Sequence, residues 1–366
     1  MLKRIEIRGF RNLMSTSFDI EDWLDVELGD TGHLFLGDNG AGKTSFIEAV
    51  YLLATTRSFR TPKIVDCLRH GGDGFFIRGR TERRTILEVG WVDGRRVRRL
   101  NGGGSSLAEH LAVLPVVPWT PADLDILVGP PEARRRFIDR GIIGSKPSAI
   151  AVFSRYRQAL QEKRKLLQTG SPRETLRDLL SPWNQILAQA AAQLTLLRQA
   201  QVEALQRELQ AVSKICELGI PAVDLRYKPS PKESLDGVSA IFDKLDSVAE
   251  REIVMQQPLL GSHRDDIRIR WRGRAVKQVA SAGERKALGL ALTAAHGQVM
   301  STQGIRPIYL LDDVDTELDA GRLASLWKFF GLAGQVLATS NRPAVWADLD
   351  VPFRFRCSAG TVSREG

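Results

Sequence analysis

The sequence predicts an α/β fold assembled from both ends of the chain, with a helical segment inserted between them. Three observations carry this reading. A glycine-rich turn near residue 40 sits between an apolar, β-prone run and a helix, and a second apolar run near residue 310 closes on two acidic residues. Between the two, mixed texture gives way to long helical periodicity.

The opening segment reads as two strands flanking a turn: Leu2, Ile5 and Ile7 form a β-prone run, Gly9-Phe10-Arg11-Asn12 bends, and Phe18 and Ile20 lead toward Leu34-Phe35-Leu36. That last run ends at Gly37-Asp38-Asn39-Gly40-Ala41-Gly42-Lys43-Thr44, a complete G-x-x-x-x-G-K-[ST] loop. Ser45 to Thr55 follows as a helix whose apolar side carries Phe46, Ile47, Val50, Leu52 and Leu53. Glycines let such a loop curl so that successive N–H groups face a phosphate, and the helix adds its positive N-terminus. Lys43 is expected to bridge the β- and γ-phosphates of ATP, and the Thr44 hydroxyl to ligate Mg2+. A pattern with four constrained positions arises by accident in roughly one chain in a hundred of this length, so a plain glycine turn is the weaker reading.

Residues 73–100 alternate in β fashion with many arginines, among them Arg78, Arg80, Arg95, Arg96, Arg98 and Arg99, and predict an antiparallel sheet packed on the first unit. From about Pro131 to Ile215 the pattern is helical. Trp183, Leu187, Ala190, Leu194 and Leu197 step by alternating four and three, a break follows, and Val202, Leu205, Leu209, Val212 and Cys216 resume the stepping. This amphipathic helix is expected to pair antiparallel with an earlier one around Tyr156, Leu160 and Leu167. After Pro221 mixed texture returns, with a strand near Ile267 to Trp271. The expected division is an N-terminal part at 1–128, an inserted helical lobe at 129–250 and a C-terminal part at 251–366.

Ile308-Tyr309-Leu310-Leu311-Asp312-Asp313 is an apolar strand ending in two acids, the Walker B arrangement. Asp312 is expected in the Mg2+ shell and Asp313 beside an attacking water, so Lys43, Asp312 and Asp313 form the catalytic set. Ser281-Ala282-Gly283-Glu284-Arg285-Lys286 opens another helix. Taken alone it is a serine-capped helix with a glycine for close backbone approach.

The net charge of +9 and a pI near 9.7 favour a polyanionic partner, although charge alone does not establish one. No apolar run approaches the length of a membrane helix and the start lacks a signal peptide's apolar centre, so no membrane partner and a cytoplasmic location are expected. Cys67, Cys216 and Cys357 lie far apart without CxxC pairing and read as core residues.

Placed before the acid-ended strand, Ser281, Gly283 and Glu284 resemble the ABC signature motif. In that superfamily the signature of one subunit contacts the γ-phosphate held by the other. Glu317-Leu318-Asp319 looks like the D-loop, while the usual switch histidine is replaced by Thr339-Ser340-Asn341. Further segments resemble the RecF family: Phe10-Arg11-Asn12, Arg57-Ser58-Phe59-Arg60-Thr61, Thr120-Pro121-Ala122-Asp123-Leu124, the run from Gly129 to Asp139, and Gly261-Ser262-His263-Arg264-Asp265-Asp266. Together they span nearly the whole chain in the family's order. Trp119 and Ser262 depart from its usual Phe or Leu and Pro.

The resemblance implies an α/β, ABC/SMC-like P-loop ATPase head built from both chain ends with an inserted helical lobe. It also implies a slow DNA-dependent ATPase that forms an ATP-dependent homodimer and binds duplex and single-stranded DNA at gap junctions. With RecR and RecO it would assist RecA loading and the SOS response. Alternatives are a DNA clamp with negligible hydrolysis, a transporter ATPase and a P-loop kinase. The missing switch histidine and the inserted lobe oppose the transporter, and the signature motif opposes the kinase. His263 is read as a residue that orders the site. Arg134 to Arg136 read as a solvated helix face or as internal ion-pair partners; the arginines at 95–99 read as phosphate-backbone contacts or as a charged sheet edge.

Overall fold

The computed structural model describes residues 1–15, 23–170, 172–220 and 222–365; Phe18, Ile20 and Pro221 lie outside the described residues. Two compact units emerge. The first comprises Met1–Leu124, Ala211–Ile220 and Ser281–Gly366, and the second Asp125–Gln210 and Pro221–Ala280.

In the first unit β1 (Leu2–Arg8), β2 (Leu24–Glu27), β4 (Phe75–Thr81), β5 (Ile86–Val92) and β6 (Arg95–Leu100) form a five-stranded sheet in the order β2-β1-β4-β5-β6. Every pairing in it is antiparallel. Period-two alternation sends Ile5, Ile7, Ile77, Leu87 and Val89 inward, where they share one core with Phe46, Ile47 and Leu53 of α1 (Lys43–Thr55). β3 (Gly32–Leu36) is buried throughout, as a strand covered on both faces requires. α2 (Leu107–Val113) is opened by a capping box between Ser106 and Glu109, and β7 (Val116–Trp119) follows.

The second unit starts with α3 (Asp125–Val128), α4 (Pro131–Ser145) and α5 (Ile150–Leu167), then α6 (Arg173–Ile215), a helix of 43 residues that belongs to this unit as far as Gln210. α5 and α6 run antiparallel, since Arg155 reaches Gln189 and, further along α5, Lys163 reaches Asn184. The single amphipathic helix expected here is present as α6, and the break in its apolar stepping after Leu197 leaves it intact. Gln201 takes the next step of the stripe and, with Arg198, is buried there as a polar residue, so the helix is continuous where its apolar pattern lapses. β8 (Val223–Lys228), α7 (Val238–Ser247), α8 (Ala249–Met255), β9 (Asp266–Trp271), β10 (Arg274–Ala275) and α9 (Val276–Val279) complete the unit. Antiparallel pairing of β9 with β8 ties 266–271 to 223–228, so residues 251–280 group with this unit, in contrast to the expected boundary at 251.

The chain then returns to the first unit with α10 (Ala282–Ser301), β11 (Ile308–Leu311), α11 (Ala320–Ala333), β12 (Gln335–Ser340), β13 (Phe353–Ser358) and β14 (Thr361–Arg364). A six-stranded sheet runs β14-β13-β3-β12-β11-β7, parallel except for β14. Leu36 pairs with Ser340 and Leu311 with Ala338, so the loops leaving β3 and β11 emerge on the same carboxyl-end edge, where open parallel sheets place their ligands. Trp119 packs closely against α10 because position 289 is glycine; a Cβ there would lie 2.3 Å from the indole.

The second unit also buries a charge. Lys163, 1% exposed in its side chain, meets Glu252 at 2.6 Å and donates to Asn184 Oδ1 at 2.7 Å. Breaking such a pair strands the remaining charge, whereas replacing both members is far milder. Lys163→Met is expected to lose about 3–5 kcal/mol of stability in urea unfolding, and Lys163→Met/Glu252→Met to recover most of it.

Candidate functional site

The phosphate loop enters α1 through Gly42, whose φ of 106° is a left-handed conformation that side chains disfavour. Lys43, 5% exposed, folds back to donate to the carbonyls of Gly37 (2.8 Å) and Asp38 (2.9 Å). The Thr44 hydroxyl donates to Asp312 Oδ1 at 2.9 Å. β12 lies between β3 and β11 and supplies Thr339, whose hydroxyl donates to Asp312 Oδ1 at 2.8 Å and accepts the N–H of Asp313 at 2.9 Å. Burial pushes the Asp312 carboxyl above its usual range, against the pull of the Thr339 and Thr44 hydroxyls.

Asp313 occupies the left-handed region at φ 48°, costly for a residue with a side chain. Two partners hold it there: Thr339 from the sheet, and Lys286 from α10, whose ammonium donates to the Asp313 carbonyl at 2.7 Å and also to the Thr316 hydroxyl. Burial lowers the Lys286 pKa, opposed by the carboxylates of Glu317, Asp315, Asp313 and Asp312. Asp313, Lys43 and Thr44 line a pocket of about 830 Å3 together with Asn12, Arg60 and Arg69.

The N-terminal turn braces this loop. Asn12 donates to the Gly40 carbonyl at 2.9 Å and accepts from Ser45 at 2.8 Å, while Arg11 donates to both oxygens of Glu48 at 2.9 and 2.7 Å. Arg60 reaches Glu48 at 3.3 Å and Ser58 donates to it, so both motif segments converge on one fully buried carboxylate. Glu48, Lys286 and Thr339's double role were not foreseen. The visible signal for Glu48 was its place as the one charged residue among the apolar positions of Ser45 to Thr55.

Ser281 and Glu284 form a capping box at the start of α10: the Glu284 N–H donates to Ser281 Oγ at 3.3 Å, and the Ser281 N–H donates to Glu284 Oε2 at 2.8 Å. Gly283 admits the D-loop backbone, since a Cβ there would sit 2.9 Å from the Glu317 carbonyl. Asp319 caps α11 by accepting the Arg322 N–H at 2.8 Å. Among the described residues, the lining of the phosphate-loop pocket includes Asp313 but not Ser281, Gly283 or Glu284 of the same chain. Asn341 contacts Asn39 at 3.1 Å, and Ser340 donates to Asp315 at 2.7 Å.

Of the arginines at 95–99, Arg95, Arg96 and Arg99 are exposed on β6, an edge strand, while Arg98 donates to the Ser105 carbonyl at 2.7 Å. In the second unit the alternative left open for Arg134 to Arg136 resolves residue by residue. Arg134 pairs with Asp266 at 2.7 Å, Arg135 donates to the Asp265 carbonyl at 2.6 Å, and Arg136 stays exposed beside Glu132. Arg198 donates to Asp139 and, at 2.7 Å, to the buried Asp265.

A phosphate loop and an acid-ended strand joined beneath a capped signature helix, on a parallel sheet of this order, define a head of the ABC/SMC class. No protein-family model matches the sequence. The DNA replication and repair protein RecF of Acidothermus cellulolyticus is 31% identical over 353 residues, covering 93% of each chain. A solved structure of the recombination mediator protein RecF-ATPrS in the RecFOR pathway superposes with a TM-score of 0.85 at 24% identity, covering 100% of this chain and 98% of that one. An SmcHead bound to the C-winged helix domain of ScpA gives 0.57 at 16% identity, over 100% and 96% of the two chains. The chain belongs to the RecF family. Among the described residues no helix is long and apolar enough to cross a membrane.

His263 belongs to the second unit. The Tyr156 hydroxyl accepts its N–H at 3.2 Å and lies 3.0 Å from its Nδ1. Burial, reinforced by Arg164 and Arg264, pushes its pKa down to about 3. With the folded pKa below the unfolded value, only the unfolded chain takes up this proton between pH 6.5 and about 3, so the contribution is full above pH 6.5 and is lost on acidification. The stability gap between wild type and His263→Gln in urea melts is expected to shrink from pH 7.5 downward, by at most about 1.4 kcal/mol per pH unit.

Proposed function

We propose that this chain is a slow, DNA-dependent ATPase of recombinational repair, and that ATP joins two copies of it around DNA. The observation that carries the reading is the shared bond between Thr44 and Asp312 beneath Lys43, with the signature motif capped on a separate helix outside its own pocket. Lys43 would exchange its two loop carbonyls for β- and γ-phosphate oxygens. Thr44 and Asp312 present a hydroxyl and a buried carboxylate, an all-oxygen donor set suited to Mg2+, which when bound neutralises charge on the phosphates. A cation there would also offset the burial of Asp312.

Hydrolysis adds water to the γ-phosphorus and breaks its bond to the ADP oxygen, the water proton passing toward Asp313. An aspartate reaches less far than a glutamate, in keeping with slow turnover. The same feature favours the second reading, a clamp with negligible hydrolysis. Ser281, Gly283 and Glu284 would meet the γ-phosphate held by the partner copy, with Asp319 at the same junction.

The exposed Arg95, Arg96 and Arg99 and the net charge of +9 support contact with phosphate backbones. The name of the relatives, DNA replication and repair protein RecF, and the RecFOR description of a structural neighbour support a repair role with RecR and RecO as partners. Duplex and single-stranded DNA at gaps, RecA loading, the SOS response and a cytoplasmic location complete the proposal as what the family resemblance implies.

Solution mass with ATP, Mg2+ and duplex DNA is expected to double relative to the nucleotide-free protein, and Lys43→Met and Ser281→Arg each to abolish the doubling. A wild-type chain that stays monomeric would exclude the trans mechanism. Turnover separates the two catalytic readings: Asp313→Asn is expected to lower kcat by about 100-fold or more with ATP affinity kept. Lys286→Met, which frees the Asp313 carbonyl, is expected to lower kcat by about tenfold at similar ATP affinity. Wild-type turnover no faster than Asp313→Asn would assign the clamp.

A further inference from the structure

The hairpin leading to α9 carries cations that the nucleotide site does not use. In Asp266 to Lys277, arginine occupies every second position at 268, 270, 272 and 274, and a lysine follows at 277. On β9 the alternation turns Ile267 and Trp271 inward, and Arg268 and Arg270 are exposed. β8 sets an exposed Arg226 directly opposite Arg268. Arg272 and Gly273, both left-handed at φ 49° and 76°, make the tight turn into β10 and leave Arg272 and Arg274 exposed.

The acids on this hairpin are already engaged. Asp266 is held by Arg134 at 2.7 Å and Asp224 by Arg226 at 2.8 Å. Among the described residues no carboxylate pairs with Arg268, Arg270, Arg272, Arg274 or Lys277. Because β10 stops after two residues, the remaining edge of β9 opens a groove of about 520 Å3, lined by Arg268, Arg270, Arg274, Gln278 and Leu127.

We propose that this arginine hairpin is a docking surface for the phosphate backbone of duplex DNA, distinct in sequence from the Arg95–Arg99 strand. The proposal rests on the DNA-binding reading above. On β9 the exposed Arg268 and Arg270 lie about 6.8 Å apart, and with Arg272 in the turn and Arg274 on the returning strand they present a compact cationic patch to backbone phosphates. Guanidinium groups pair with phosphate oxygens in a two-pronged geometry. Trp271 is 4% exposed, so the hairpin offers no aromatic platform for unstacked bases, which favours a duplex held by its backbone over a single strand.

The test is binding of a labelled 30-base-pair duplex to the full chain with ATP and Mg2+, titrated over salt, for wild type, R268Q/R270Q/R274Q and R268K/R270K/R274K. The glutamine variant is expected to bind about 10- to 100-fold more weakly, with a salt slope shallower by about 2–3. The lysine variant is expected to keep the wild-type slope, which separates lost charge from lost folding. A glutamine variant with wild-type affinity and slope overturns the surface and leaves the hairpin to an acidic protein partner. A wild-type protein that fails to bind the duplex at all overturns the DNA reading itself.

Discussion

The buried carboxylate of Asp312 is the point on which the nucleotide half of the molecule turns. It is 4% exposed, pushed up by burial, and held by hydroxyls from two other elements, Thr44 at the start of α1 and Thr339 at the end of β12. A carboxylate so placed needs donors or a cation, and the sheet order provides both opportunities. β12 stands between β3 and β11, so its last residues bridge the loops on either side. The bulky Trp119 beside β11 and the glycine at 289 let α10 lie close against this edge, which brings Lys286 within reach of the Asp313 carbonyl.

The second unit is organised around a comparable constraint of its own. Asp265 is fully buried and accepts from Arg198, Tyr227 and the Ser230 N–H, while Arg198 also binds Asp139. One arginine in the middle of α6 thus links α4, α6 and the segment before β9. Removing Arg198 leaves the buried Asp265 carboxylate without its cation, so the cluster specifies this arrangement even where its net contribution to stability is small. The same residues are those through which the sequence resembles its family, at Asp139 and at Asp265-Asp266.

Much of this was legible from local chemistry. The phosphate loop has a fixed spacing because the backbone must curl around a phosphate, and the acid-ended strand is apolar because it is covered on both faces. Both were therefore readable without contacts. α6 was readable as one amphipathic helix, but what fills the lapse in its stripe was not, because it is completed by Gln201 and by Arg198, whose burial depends on Asp139 and Asp265 distant in sequence. The boundary at 251 failed for a related reason: the strand at 266–271 belongs with 223–228 through pairing, which composition does not record. Neither Lys286 nor Glu48 had a role assigned from the sequence, since what distinguishes each is a partner on another element.

Lys286 also gives the signature helix a physical connection to the turn it faces. Gly283 and Glu284 lie within a turn of Lys286 on α10, and the Lys286 ammonium is bonded to the carbonyl of a residue held in a strained backbone conformation. A strained turn persists only where its surroundings over-determine it, and here the restraints are a hydroxyl from the sheet and an ammonium from α10. Displacement of the first turn of α10 would therefore alter the restraint on Asp313 directly, through one hydrogen bond, without passing through the sheet. In a head whose signature is engaged by a second copy, that bond is a direct hydrogen-bonded link from α10 to the acidic turn.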